Sequence, residues 1–302
     1  MVLRLEKVTK RFGAFEAVRD LSFHVDMGEI VGFLGQNGAG KTTTLRMVMD
    51  ILPVSAGTIT LFGGGDLRQG RKRVGFLPEE RGLYRKMRAV DTIAYFGRLK
   101  GVPAAKAKRK ANELLERFGM TEVAQSKIET LSKGNAQKIQ LLSVLTHEPE
   151  FLILDEPFSG LDPVNQKLLE DLILELREGG ATVLFSTHTM EHAERLCDRF
   201  MMIRKGRGVF EGTLEEARAA YGRRLIIKTP DDPSPLEGRA GIVAVHDIGR
   251  GRYALDLQEG ADDQEVLRLA LEHQLRIESF GREEASLHDI FFRLAGTEEI
   301  AA

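Results

Sequence analysis

The stretch that most constrains this chain is Gly35-Gln36-Asn37-Gly38-Ala39-Gly40-Lys41-Thr42, entered from the apolar run Ile30-Val31-Gly32-Phe33-Leu34. The run reads as a buried strand, the glycines as a loop, and the residues from about Lys41 as a helix. Glycines let the backbone wrap tightly, with successive N–H groups turned toward an anion. The helix start behind them adds unpaired N–H groups and the positive end of its dipole. Lys41 brings a mobile positive charge for outer phosphates, and the Thr42 hydroxyl is placed to hold Mg²⁺. The rival reading is a glycine turn that binds nothing, and the full G-x-x-x-x-G-K-T pattern between strand and helix disfavours it. The pattern implies a nucleoside-triphosphate site.

Composition sets the outer limits. At 302 residues, 42% hydrophobic and 29% charged, the chain has the make-up of a globular protein with a substantial core and room for a smaller second domain. No run of about 18 apolar residues occurs, so no membrane-spanning helix is expected. Met1-Val2-Leu3-Arg4-Leu5-Glu6 alternates like a strand and lacks the apolar core of a signal peptide. The single cysteine, Cys197, excludes an internal disulfide framework, fits a reducing cytoplasm, and reads as a buried structural residue. A net charge of −2 does not point to nucleic acid. The charge is uneven: residues 223–302 carry 10 Lys/Arg against 16 Asp/Glu, whereas the remainder carries 33 against 29. That shift supports a boundary after residue 222.

Along the chain, strands are expected at residues 2–8 and 21–25, flanking a loop at Lys10-Arg11-Phe12-Gly13. Spacing alone favours Phe12 as core over a stacking platform for a flat base. A helix should run from Thr43 to Leu52 and end before Pro53. Strands follow at 57–62 and 73–77, and then a helical stretch over 91–119, broken at Gly101-Val102-Pro103, with a basic polar face that reads as solvated surface. A helix after Leu131-Ser132-Lys133-Gly134 runs to about His147, completing a helical insertion over about 85–148. Phe151-Leu152-Ile153-Leu154 is apolar on both faces, as a central parallel strand is. A helix at about 165–178 and a strand at 182–186 come next. The alternation predicts an α/β domain around a parallel sheet over 1–222. Strands at 225–227, 241–246, 252–257 and 275–280, with helices at 263–273 and 286–294, predict a small α+β domain over 223–302.

The second half of the phosphate site is Leu152-Ile153-Leu154-Asp155-Glu156-Pro157. Two adjacent carboxylates at the end of a buried strand are costly unless something positive meets them. Mg²⁺ would meet Asp155, and Glu156 would polarise an attacking water as general base.

Three further motifs narrow the choice. Leu131-Ser132-Lys133-Gly134-Asn135 resembles the signature LSGGQ of ABC ATPases, Ser159-Gly160-Leu161-Asp162-Pro163 their D-loop, and Ser186-Thr187-His188 their switch histidine. Motif order and spacing agree over residues 2–222. The resemblance implies an ABC-type ATPase domain of the P-loop NTPase fold with a helical subdomain. It implies that Phe12 stacks on adenine, against the spacing-only preference. Gly35, Gln36, Asn37, Gly38, Ala39, Gly40, Lys41, Thr42 and Thr43 would hold the phosphates of ATP, with Thr42, Glu79 and Asp155 around Mg²⁺. Glu156 would be the general base and His188 a γ-phosphate contact. Ser132 and Gly134 would reach the ATP of a second subunit, and Asp162 would link the two sites. The resemblance further implies a dimer of ATPase subunits, separate integral-membrane permease subunits, and a place on the inner face of the cell membrane.

The departures carry information too. Glu79 stands where the family usually has Gln, Lys133 replaces a glycine of the signature, and Asn135 replaces Gln. Lys133 either adds charge near the partner's ATP or faces solvent, and solvent is favoured. Pro78-Glu79-Glu80-Arg81-Gly82-Leu83-Tyr84, the LSKGN signature and the tail Ser286-Leu287-His288-Asp289-Ile290-Phe291 resemble the prokaryotic sodium-efflux and drug-resistance exporters. One rival is a soluble ABC ATPase acting on nucleic acid or ribosomes, which usually has paired cassettes or long insertions. Another is a binding protein with vestigial turnover, which Glu156 and His188 argue against. His192, four residues after His188, has metal-ligand spacing, but no third ligand suggests itself.

Overall fold

The computed structural model describes residues 1–80, 82–258, 260–282 and 286–294; Arg81 and the last eight residues, which fall within the stretches singled out above, lie outside the described residues. The chain divides into two compact units, Met1–Thr213 and Leu214–Ala302.

In the first unit the elements are β1 (Leu3–Phe12), β2 (Phe15–Val25), β3 (Ile30–Leu34), α1 (Lys41–Val48), β4 (Ala56–Leu61), α2 (Leu67–Lys72) and β5 (Val74–Leu77). Helices α3 (Ala89–Leu99), α4 (Ala104–Arg117) and α5 (Lys133–Leu145) follow. Then come β6 (Phe151–Asp155), α6 (Pro163–Glu178), β7 (Thr182–Thr187), α7 (Met190–Leu196), β8 (Arg199–Arg204) and β9 (Arg207–Gly212). One sheet, ordered β2-β1-β4, is antiparallel. The other, ordered β5-β6-β7-β3-β8-β9, is parallel except for its edge strand β9. Phe33, Leu3, Leu5, Leu21, Leu45 and Phe151 fill a shared core, all fully buried. Burying a side chain of this size contributes roughly 1.5–3 kcal/mol.

The register of the parallel sheet builds the site. Leu34 pairs with Thr187 and Asp155 with Ser186, so the ends of β3, β6 and β7 lie side by side. Ligands bind at the carboxyl edge of such sheets, where the loops emerge.

Several elements differ from expectation. Lys10, Arg11 and Phe12 belong to β1, because pairing with β2 continues through Phe12 and Phe15 and leaves only Gly13-Ala14 as the turn. Helix α1 stops at Val48, since Asp50 turns to φ +61° and Ile51 and Leu52 donate their N–H groups back to Arg46. The β8–β9 hairpin and helices α2 and α7 are additional to the expected elements.

The second unit holds α8 (Leu214–Tyr221), β10 (Arg223–Lys228), β11 (Ile242–Asp247), β12 (Arg252–Leu257), α9 (Asp263–Glu272), β13 (Ser279–Arg282) and α10 (Leu287–Leu294). Its sheet is antiparallel, ordered β11-β12-β10-β13, over a core of Leu225, Ile227, Ile242, Leu255, Val266 and Ala270. The sequence boundary after 222 splits off α8, which in the structure packs with α10 of this unit. The last strand starts at Ser279, later than expected, because Gln274 turns at φ +59° and Leu275 bonds back to Ala270 and enters the core.

Candidate active site

The phosphate loop leaves β3, whose five residues are all buried, and is pressed against its neighbours. A Cβ on Gly35 would lie 2.4 Å from the Ile203 carbonyl oxygen, and one on Gly40 2.6 Å from that of Ala17. Gly38 and Gly40 hold φ of +80° and +108°, conformations that other residues adopt at a cost. Gln36, Asn37 and Gly38 form an exposed crest, while Ala39 is a buried anchor whose carbonyl accepts from Gly206 N–H at 3.0 Å. Gly40 caps α1 without a side-chain hydrogen bond, so the first N–H groups of the helix remain available to an anion. Thr42 and Thr43 are half-buried on its first turn.

The Lys41 ammonium is folded back into this nest. It donates to the Gly35 carbonyl at 2.6 Å and the Gln36 carbonyl at 3.3 Å, and lies 3.2 Å from Glu156 Oε1. That approach is an ion pair without hydrogen-bond geometry, for Glu156 Oε1 is buried and has no hydrogen-bond partner. The other oxygen, Oε2, is 2.9 Å from His188 Nδ1. Glu156 itself sits at φ +48°, with its N–H donating to both Ser186 Oγ (3.0 Å) and the Ser186 carbonyl (3.2 Å). A non-glycine residue in this conformation is strained, and such strain clusters where chemistry is done.

Asp155 is 2% exposed. Ser186 Oγ donates to its Oδ1 at 2.6 Å and Thr42 Oγ1 at 3.2 Å. Burial raises its carboxyl above the usual carboxylate range, the nearby Glu156 adds to this, and the two hydroxyls and Lys41 offset it in part. A buried carboxylate beside a threonine hydroxyl is a hard-oxygen pair of the kind that suits Mg²⁺, so the residues fit that ion. Glu79 is exposed in the loop after β5 and lines a cleft of about 220 Å³ with Asp155 and Glu156.

The structure therefore joins Lys41, Thr42, Asp155, Glu156 and His188 through direct contacts. Phe12 is 48% exposed at the end of β1, with Lys10 Nζ 5.0 Å from its ring centroid. It is a surface ring and not core. Ser132, Gly134 and Asp162 lie on another stretch of the surface. Ser132 caps α5 by accepting from Asn135 N–H at 3.2 Å. Asp162 caps α6 by accepting from Asn165 N–H at 3.0 Å, a bond that with the Asn165 side chain holds its carboxyl below the usual range. Gly134 faces the same Asn165. No hydrogen bond or ion pair among the described residues ties these three to the phosphate loop.

Three positioning residues were not singled out from sequence. Ser186 donates its hydroxyl to the Asp155 carboxylate and accepts from the Glu156 backbone N–H. On α5, Gln140 donates to the Pro78 and Glu80 carbonyls (3.3 and 3.2 Å), and Gln137 to the Pro157 carbonyl at 2.8 Å. Gln140 was legible as a polar residue at a core position of an apolar helix. His192 binds Glu170 at 2.9 Å, and the described residues hold no cluster of three or more His, Cys, Asp or Glu suited to a metal. His188 precedes α7, so the four-residue spacing never places both rings on one helix face. Cys197 is half-buried, and burial pushes its thiol well above its usual range. None of the described helices is long and apolar enough to cross a membrane.

A model described as ABC transporter matches residues 18–159, and one described as ATP-binding protein DrrA1-3-like, C-terminal domain, matches residues 212–295. YhaQ of Bacillus subtilis, an uncharacterized ABC transporter ATP-binding protein, is 41% identical over 298 residues, covering 98% of this chain and 99% of its own. The Nod factor export ATP-binding protein I of Burkholderia lata is 36% identical over 295 residues, 96% of each chain. Among solved structures, an ATP-binding subunit of an ABC transporter is 31% identical, with TM-score 0.68, over 73% of this chain and 93% of that one.

Proposed function

The chain belongs to the ABC transporter ATP-binding family, and from that membership we propose that it is the ATP-hydrolysing subunit of an exporter, working as a two-copy ATP sandwich against separate membrane subunits on the cytoplasmic face. The observation that carries this reading is Glu156: a buried, strained carboxylate with one oxygen lacking a hydrogen bond and the other on His188. The export direction rests on likeness to the Nod factor export ATP-binding protein I.

The residues divide the work as follows. The exposed face of Phe12 stacks on the adenine ring, worth roughly 1–3 kcal/mol by analogy with other base–aromatic contacts. The loop N–H groups and the start of α1 receive the phosphates. Lys41 exchanges its two carbonyls and its approach to Glu156 for phosphate oxygens, which are anionic where the two carbonyls are neutral. Mg²⁺, held by Thr42 and Asp155 with Glu79 nearby, would draw charge from the phosphate oxygens. Release from Lys41 leaves Glu156 able to accept a proton from the attacking water, a role worth about 10²–10⁴-fold in rate. His188, half exposed beside Glu156, contacts the γ-phosphate.

The other face of the sandwich comes from Ser132 and Gly134 of the second copy. They present the N-terminus of α5, whose dipole favours the terminal phosphate. Asp162 connects the two sites. Loss of the γ-phosphate removes charge-assisted bonds from the interface, and the copies part. That opening is the stroke delivered to the membrane subunits.

Specific ATPase activity should rise with protein concentration, and Glu156→Gln should run as a dimer on size exclusion in ATP and Mg²⁺. Activity independent of concentration, together with a monomeric Glu156→Gln, would refute the composite site.

A further inference from the structure

Lys133 departs from the glycine that the resemblance leads one to expect; it is exposed, as favoured from sequence, and its side chain lies against the turn at Gly160. It is the first residue of α5, directly after the cap Ser132, and no acidic residue lies in that first turn. A cation at this end of a helix opposes the dipole. Its side chain crosses Gly160, where a Cβ would stand 2.6 Å from Nζ and 3.1 Å from Cε. Gly160 turns there at φ +70°, so both the turn and the lysine's path need a residue without a side chain.

The seat opens into the cleft of about 220 Å³ that Glu79, Asp155, Glu156 and Ser159 also line. Three of the side chains that line the cleft are carboxylates, and among the described residues Lys133 is the one cation that lines it, with Lys41 3.2 Å from Glu156 behind. Lys133 makes no ion pair among the described residues, so it acts on the cleft as a whole and is not locked to one acid. The second departure, Glu79, adds a negative charge to the same cleft.

We propose that Lys133 is a positioning residue for hydrolysis, its ammonium laid across Gly160 as the counter-charge to Glu79 in the cleft beside Asp155 and Glu156. The two departures are then a matched pair: each alone unbalances the cleft, and together they restore its charge. The pair sets how strongly the cleft attracts Mg²⁺ and how the turn Ser159–Asp162 sits against α5. This deepens the ATPase reading and rests on it for the hydrolytic consequence alone.

A double-mutant cycle tests the pair with two readouts. In steady-state hydrolysis, Lys133→Gln should lower kcat about tenfold with KM for ATP within about twofold, and Lys133→Arg should retain the wild-type rate. Glu79→Gln introduced into Lys133→Gln should recover most of the loss, because it removes the uncompensated charge. In thermal unfolding titrated with Mg²⁺ alone, the midpoint should fall about threefold in Lys133→Gln, rise in Glu79→Gln, and return to wild type in the double variant. If the two substitutions multiply in kcat, with no recovery in the double variant beyond that product, or if neither single variant moves the Mg²⁺ midpoint, Lys133 and Glu79 do not act as a pair and the inference fails. Wild-type protein that hydrolyses no ATP while its Mg²⁺ midpoints still couple would overturn the ATPase reading and leave the pair standing.

Discussion

Glu156 and Glu170 are two buried carboxylates of the same unit, 8% and 7% exposed, each with a histidine Nδ1 at 2.9 Å. Their surroundings differ in every other respect. His192 is buried, stacks on Phe158 with centroids 4.0 Å apart, and shares Glu170 Oε1 with Arg195. Glu170 and His192 are buried, and Arg195, 57% exposed, carries that cluster out to solvent. His188 is 49% exposed, Glu156 is strained at φ +48°, and its Oε1 has Lys41 nearby without a hydrogen bond. One pair holds α6 to α7; the other reaches solvent through His188 and leaves Glu156 Oε1 beside Lys41 without a hydrogen bond. A buried ion pair that satisfies its atoms is structure, and one that leaves an oxygen over is poised for chemistry.

The comparison breaks first at Glu170. Replacing it with alanine leaves His192 and Arg195 without their carboxylate and should cost about 3–5 kcal/mol, read by denaturant unfolding. A loss below 1 kcal/mol would remove the distinction.

A third histidine sharpens the contrast. His147 has no carboxylate; its Nε2 meets the Val74 carbonyl at 3.3 Å and its Nδ1 is buried without a partner. Burial, then the nearby Lys100, lowers its pKa to about 4, while the Val74 bond works the other way. The folded value lies below the unfolded one, so the unfolded chain binds the extra proton between about pH 6.5 and pH 4. Stability is then full above the unfolded value and declines as pH falls through that window, by on the order of 2–3 kcal/mol. His147→Gln should flatten that part of the stability–pH curve; an unchanged slope would contradict the half-buried, neutral ring.

His188→Ala should lower kcat about 100-fold, or about 2.7 kcal/mol in barrier, with little change in Tm, because its ring is half in solvent. A fall in Tm matching that of Glu170→Ala would make it a structural residue. The smallest effect is expected at Phe12: alanine should weaken nucleotide binding about tenfold, and tyrosine should restore it. Equal binding by all three would return Phe12 to an idle surface ring.

The phosphate loop, Asp155-Glu156 and His188 were legible because each is a short motif at the end of one buried strand, where local order dictates placement. The Glu170–His192 pair was not, since its members lie 22 residues apart and meet only when α6 packs on α7. Phe12 shows the same limit: spacing favoured core, and only strand pairing out to Phe15 puts the ring on the surface. The hairpin β8–β9 and helix α7 carry no chemistry-bearing motif to mark them. Lys133 needed the turn at Gly160 to reveal its seat.

The most direct measurement takes Glu156→Gln and Glu170→Gln side by side, with single-turnover ATP hydrolysis and thermal unfolding on the same samples. Glu156→Gln should lose about 10³-fold in rate while keeping its Tm, and Glu170→Gln should lose Tm while staying within a few-fold of the wild-type rate at a temperature where it is folded. The reverse pattern, or equal losses of rate in both, would contradict the assignment of hydrolysis to Glu156.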